Sequence, residues 1–247
     1  MQKDDAAHPA HTEPVYDGGE PGPKVVVAAF AAAVVVLLAA AWNVAGYRLH
    51  AGLNPYFFVL SLFLSLNLLI CCWEMCLYLR RDYIAERARY WRNRRAATGR
   101  TPAVEFLTAS VPLRRVASPT LWADVWATYA QYDEGYTDRG SFGFNCDTGN
   151  GFVTLVPSVV LLAALTFEIM PATFAGILGV ALFWQWVYVS SLYAASFWVA
   201  GRHQTLPRTV RWLYVWGPNA VWIVVPLLGL FVSARLIIDG TYAIVGH

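Results

Sequence analysis

Pro55-Tyr-Phe-Phe-Val-Leu-Ser-Leu-Phe-Leu-Ser-Leu-Asn67-Leu-Leu-Ile-Cys71-Cys72-Trp-Glu74-Met-Cys76-Leu-Tyr78-Leu79 is the stretch that decides the fold. It is long enough to cross a hydrocarbon core of roughly 30 Å as a helix, with Pro55 at the first helical position, where a missing N–H costs nothing. Its one acidic residue, Glu74, and its one carboxamide, Asn67, are expensive in lipid. Such groups face a bundle interior or a cavity when they occur within a span.

Outward from this run the pattern repeats. Residues 25–45 form an Ala-, Val- and Leu-rich run without internal charge, as expected of a lipid-facing helix. Further spans are expected at 150–170, 174–200 and 212–238, the last holding Pro218 and Pro226. Proline is tolerated in membrane helices because neighbours re-satisfy the freed carbonyls. The expected fold class is therefore all-α, an integral membrane bundle of five transmembrane helices. Residues 24–247 make up the membrane domain, and a Pro- and acid-rich tail over 1–23 lacks the apolar content to fold.

Whole-chain composition agrees. Of 247 residues, 57% are hydrophobic and 14% charged, and mean hydropathy is +0.45. A soluble domain carries about 25% charged residues. The net charge of +2 does not support a nucleic-acid partner, which needs clustered Lys and Arg without long apolar runs.

The polar segment 80–148 opens with eight Arg between Arg80 and Arg100. A later loop carries Arg202, Arg208 and Arg211, and the opposite loops carry almost only Arg48. The positive-inside rule makes the first side cytoplasmic, with the N-terminus inside and the C-terminus outside. Membrane lipids are then natural partners of the Arg run. Within 80–148, residues 121–136 have helical spacing. Trp126, Tyr129 and Tyr136 are expected on one helix face near the interface, with Asp133 hydrogen-bonded.

Three of the four cysteines, Cys71, Cys72 and Cys76, lie in one apolar run, so they are not a disulfide framework. No His accompanies them at ligand spacing, and neither a metal nor a cofactor is expected. The remaining polar residues of the spans fall on stripes. Asn67, Cys71, Glu74 and Tyr78 share one helical face, as do Asp147, Asn150, Thr154 and Ser158. Gln185 and Tyr188 are three apart on the fourth span, and Asn219, Trp222 and Pro226 share a face of the fifth. Interhelical hydrogen bonding is one explanation, at about 0.6 kcal/mol per bond. Asp147 could also cap the third helix.

Two stretches are more specific. Trp126-Ala-Thr-Tyr129-Ala130-Gln-Tyr-Asp133-Glu-Gly-Tyr136 resembles the W-x-x-Y-A-x-x-D-x-x-Y segment of the emopamil-binding protein, or EXPERA, family. Asn219-Ala220-Val-Trp222-Ile-Val-Val-Pro226 is similar to that family's N-A-x-W-x-x-x-P signature in the last span. The resemblance covers roughly residues 55–238 and implies five spans and a sterol-like or other polycyclic lipid held within the membrane.

The family's best-known activity is a sterol double-bond shift from the 8 to the 7 position. It requires protonation at one carbon and deprotonation at another, which positioned carboxyl groups perform. By position, the resemblance assigns Glu74 and Asp147 as the catalytic pair. It places Asn150, Gln185, Tyr188, Asn219 and Trp222 at the ligand, with Trp222 facing a carbocation. Ile70 stands where the isomerases have His, Asp147 where they have Glu, and the linker after the second span is longer. The alternative is a non-catalytic accessory or chaperone-like subunit of a membrane complex, paired with a second copy or a partner subunit through the first helix and residues 80–120. The expected membrane is the endoplasmic reticulum in a eukaryote and the cell membrane in a bacterium.

Overall fold

The computed structural model describes Tyr16 and residues 21–246. The expected tail over 1–23 lies otherwise outside the described residues. Among the described residues the protein is all-α apart from one two-stranded ribbon. Its helices are α1 (Val27–His50), α2 (Pro55–Leu79), α3 (Arg81–Thr98), α4 (Pro102–Thr108), α5 (Pro119–Tyr129), α6 (Phe142–Val153), α7 (Leu155–Phe167), α8 (Ala172–Val199), α9 (Arg208–Val210) and α10 (Gly217–Asp239). Four spans are long and apolar enough to cross a membrane: α1, α2, α8 and the continuous run Arg208–Asp239. The bent pair α6–α7 makes a fifth. This is a multi-pass membrane protein.

Local chemistry sets the boundaries. Asn54 caps α2 through Oδ1, which accepts from the N–H groups of Tyr56 (2.9 Å) and Phe57 (3.1 Å), with Pro55 at the first helical position. Gly99, at φ 68°, closes α3 by donating its N–H to the Arg95 carbonyl. Ser118 and Pro119 start α5, the Ser118 side chain accepting from Thr120 N–H.

Three boundaries differ from the sequence expectation. Lys24–Val26 is a strand (β1) and not the first turn of a helix. It pairs antiparallel with Ser110–Pro112 (β2), Val25 opposite Val111, as β-branched residues favour. The third span begins at Phe142, eight residues before the expected Asn150, and is bent by 48° around Thr154. Pro157 explains the bend: it has no N–H for the Val153 carbonyl, and its ring crowds that carbonyl. The fifth span begins at Arg208, and its residues Arg211–Trp216 form a π-helix in which Gly217 N–H bonds Trp212 O. Pro218, next in line, cannot donate to a carbonyl one turn back, so the wider turn relieves it.

The chain divides into two compact units. The first comprises Met1–Ala32 and Trp73–Thr148. In it the Arg-rich segment is a packed structure: α3 buries Ile84, Ala88, Trp91 and Arg94, and Phe106 and Leu121 are buried too. Charges inside are paired. Arg94 Nε donates to Glu105 Oε2 at 3.0 Å. Asp124, fully buried, accepts from Arg87 Nε (2.9 Å), Trp91 Nε1 (3.2 Å) and the Tyr16 hydroxyl. The Arg87 guanidinium also lies 3.9 Å from the centroid of the Tyr90 ring.

The second unit comprises Ala33–Cys72 and Gly149–His247. Its core is aromatic: Phe63 packs on Trp186 (5.3 Å), Trp222 (5.8 Å) and Phe183 (6.4 Å). Small residues bring α8 against α10. A Cβ on Gly176 would meet the Ser233 carbonyl at 2.7 Å, and one on Gly229 would meet the Phe183 ring at 2.5 Å. Close backbone approach through small residues is the membrane solution to helix packing, where lipid offers no hydrophobic drive between helices.

Candidate functional site

In the second unit the polar side chains of the spans form a continuous hydrogen-bonded chain. Asn67 on α2 accepts at Oδ1 from Trp222 Nε1 of α10 (3.4 Å). Its Nδ2 donates to Ser158 Oγ of α7 (3.3 Å) and to Cys71 Sγ (3.4 Å). Cys71 Sγ lies 3.3 Å from Thr154 Oγ1. Thr154 Oγ1 donates to the Asn150 carbonyl (2.9 Å) and lies 3.1 Å from Asn150 Oδ1. That Oδ1 also accepts from Trp186 Nε1 (2.7 Å) and Gln185 Nε2 (3.2 Å) of α8. Asn67, Cys71, Thr154 and Ser158 are buried. The bend at Thr154 belongs to the same chain, because Thr154 is where the helix breaks and where its hydroxyl turns back to Asn150.

Asn150, Gln185 and Trp222 thus lie on one network. Tyr188 and Asn219 do not. Tyr188 is exposed and stacks on Trp184 (6.2 Å, 20°) on the outer face of α8. Asn219 spends its amide on its own helix, Nδ2 donating to Val215 O at 2.7 Å across the π-to-α junction. Sequence spacing located both residues within a span and missed which way they turn. Asn67, Trp186 and Thr154, which hold the network together, are its unforeseen centre. Asn67 and Thr154 were visible on the polar stripes, but Trp186 carried no signal beyond its aromaticity.

In the first unit, Glu74 is buried on α2, and Asp147 is half-buried on α6. Asp147 lies inside α6 and does not cap it. The cap is Ser141, whose Oγ accepts from Phe144 N–H at 3.2 Å.

Asp147 Oδ2 instead accepts from the Tyr136 hydroxyl at 2.6 Å. Tyr136 stacks on Trp126 (5.0 Å, 23°) and meets Tyr129 edge-on at 5.1 Å. Trp126 Nε1 donates to the Trp73 carbonyl at 2.7 Å, the residue preceding Glu74. The three residues expected on one helix face do not share a helix, although their rings meet. α5 ends at Tyr129, and Tyr136 returns on a separate 3₁₀ turn, Glu134–Thr137, capped by Asp133 through Gly135 N–H (2.9 Å).

A separate cavity of about 390 Å³ is lined wholly by apolar side chains and a thiol, among them Val34, Leu38, Leu68, Cys72, Val156 and Val160. It includes none of the expected site residues. No protein-family model matches the chain, and no curated protein or solved structure is significantly similar to it.

Proposed function

We propose that this membrane protein, in the manner of the EXPERA proteins it resembles, binds a sterol-like or other polycyclic lipid and shifts a double bond in it, with Glu74 and Asp147 as the proton-transfer pair. The observation that carries the reading is the hydrogen bond by which Tyr136 of the W-Y-D-Y segment holds Asp147, with Trp126 of the same segment bonded to the carbonyl of Trp73, the residue before Glu74. One carboxylic acid gives its proton to an alkene carbon. The resulting carbocation loses a proton from the neighbouring carbon to the other carboxylate. Protons and electrons balance without any redox partner.

An amphiphilic tertiary amine mimics that cation. It is expected to bind the purified protein in mild detergent. Lipid mass spectrometry of the same preparation is expected to show a co-purifying polycyclic lipid. Absence of both amine binding and such a lipid overturns the proposal.

The second reading, a non-catalytic accessory or chaperone-like subunit, draws on α1. Only 17% of its most apolar window is buried, and Val36, Leu37 and Val44 are exposed. Cross-linking from α1 to a second chain, in a protein that binds no amine, would favour it.

A further inference from the structure

Within the first unit, two consecutive helices present outward faces of opposite chemistry. The exposed residues of α3 include Asp82, Glu86, Arg89, Arg92, Asn93 and Arg95, side chains that suit water. The exposed residues of α4 are Val104, Leu107 and Thr108. Val104 and Leu107 are three apart, so they share one helical face, and they are 49% and 37% exposed. Leu113, directly after the ribbon, is 48% exposed, and Val26, opposite Ser110 in the ribbon, is 37% exposed. Apolar side chains gathered at a surface in this way mark a contact with protein or membrane.

Two further observations identify what this face meets. First, polarity is withdrawn from it. From Thr101 to Leu113 the sequence holds a single charged residue, Glu105, whose carboxylate accepts from Nε of the buried Arg94 at 3.0 Å. The Thr108 hydroxyl, on the same side as Val104, donates to the Val104 carbonyl at 2.8 Å. Polar groups bonded within the chain are the ones that tolerate loss of water. Second, the face is tied to the point where the chain enters the bilayer. β1 runs into α1 with no residue between them, and α1 is one of the membrane spans. The N–H of Val27, the first residue of α1, bonds the carbonyl of Ala109, which follows α4 directly (3.1 Å). The Leu113 N–H bonds the Pro23 carbonyl just before β1 (2.9 Å). Both ends of the exposed apolar segment are thus fastened to the foot of a membrane helix.

We propose that Val104, Leu107 and Leu113, with Val26 beside them, dip into the acyl-chain boundary of the bilayer, so that α4 and the turn after the ribbon anchor the first unit to the membrane surface. A short apolar face at the level of the interface buries itself about 5–10 Å into the boundary between headgroups and acyl chains. The occupant is lipid and not a second protein chain, because the face continues the lipid contact that α1 begins at Val27. The charged outward face of α3 stays in water. The anchor is independent of the lipid-isomerase reading and uses none of its residues.

The test uses the full-length protein in phosphatidylcholine nanodiscs. The photoreactive amino acid p-benzoylphenylalanine is introduced at position 104, 107 or 113, and at position 93 on the outward face of α3 as the control. After illumination, mass spectrometry is expected to find phosphatidylcholine attached through its acyl chains at 104, 107 and 113, and no such adduct at 93. Hydroxyl-radical footprinting of the wild type in the same nanodiscs needs no variant, and it decides the matter should the substituted proteins fail to fold. Leu107 and Leu113 are expected to escape oxidation in spite of their exposure on the protein. Oxidation of both at the rate of leucine side chains in water overturns the anchor. So do acyl-chain adducts at 93 as abundant as those at 107. Cross-links from 104, 107 or 113 to a second copy of the chain, without lipid adducts, would make the face a protein interface and overturn the lipid proposal.

Discussion

The indole N–H of Trp222 on α10 reaches the side-chain oxygen of Asn67 on α2, 155 residues away in sequence, at 3.4 Å. The bonds around Asn67 are all long, between 3.3 and 3.4 Å. Those converging on Asn150 Oδ1 include one of 2.7 Å from Trp186. The two ends of the polar chain therefore carry unequal weight. Asn67→Leu removes three weak bonds, at about 0.6 kcal/mol each or about 2 kcal/mol together. Asn150→Leu strands the donors of Trp186 and Gln185 in the bundle, and each buried unsatisfied donor costs about 1–3 kcal/mol. Thermal unfolding in detergent is expected to rank Asn150→Leu as the more damaging of the two. The reverse order would mean that the chain of contacts does not stabilise the unit as described.

Much of this network was legible before any coordinates. Asn67, Cys71, Thr154 and Ser158 fall on two helical stripes, and a polar stripe within a span has to turn inward. The spans themselves follow from run length. Two features stayed hidden. The bend at Thr154 arises from Pro157, and apolar content alone does not distinguish a straight helix from a kinked one, so the third span was placed eight residues late. The burial of Asp124 and Arg94 was hidden too. Charged residues in an Arg-rich segment read as solvated until their partners are known, and Tyr16, Arg87 and Glu105 are brought to them by tertiary folding. Outward rotation of Tyr188 and the local bond of Asn219 are side-chain choices that spacing does not encode.

The α8–α10 contact gives a prediction with an internal control. A Cβ at Gly229 would lie 2.5 Å from the Phe183 ring, whereas one at Gly149 meets nothing within 4 Å. Overpacking of a well-filled core costs about 1–3 kcal/mol, so Gly229→Ala should lower the melting temperature. Gly149→Ala, inside α6, should be neutral or stabilising by up to about 1 kcal/mol through helix propensity. Equal effects of the two substitutions would rule out a tight α8–α10 contact.

The Tyr16 hydroxyl donates to the buried Asp124. Burial, and then the charge and hydrogen bond of Asp124, raise its phenol well above the usual 10.0. A group whose folded value is raised contributes its full stabilisation below the unfolded value, here pH 10. That contribution is lost as the pH climbs from there through the folded value. The hydrogen bond to a charged acceptor is worth about 1.5–3 kcal/mol. Wild type should exceed Tyr16→Phe by that margin at pH 8, with the difference shrinking above pH 10. A difference that stays constant from pH 8 to pH 11 would show that the phenol proton is not what Asp124 holds.

The last prediction separates positioning from chemistry at the proposed proton-transfer pair. Tyr136 touches Asp147 through one hydrogen bond of 2.6 Å, and its ring is independently fixed by Trp126 and Tyr129. Tyr136→Phe keeps the ring stack and removes only the bond. If Asp147 exchanges protons with the lipid, its orientation matters in the transition state more than in the bound substrate. Tyr136→Phe should then lower kcat and leave KM and amine binding nearly unchanged. Glu74→Gln keeps the shape of the buried side chain and removes its proton-transfer capacity. It should lower turnover by about 10²–10⁴-fold, the usual contribution of a general acid or base, with amine binding retained. The two variants are to be compared in one assay, with isomerisation of a polycyclic alkene followed by deuterium uptake from the solvent. Deuterium enters the product only if a protein acid that exchanges with water has protonated the alkene. Full turnover in Glu74→Gln would remove Glu74 from the chemistry. A Tyr136→Phe variant that lost amine binding together with turnover would show that Tyr136 shapes the lipid site itself and does not merely hold the carboxyl group.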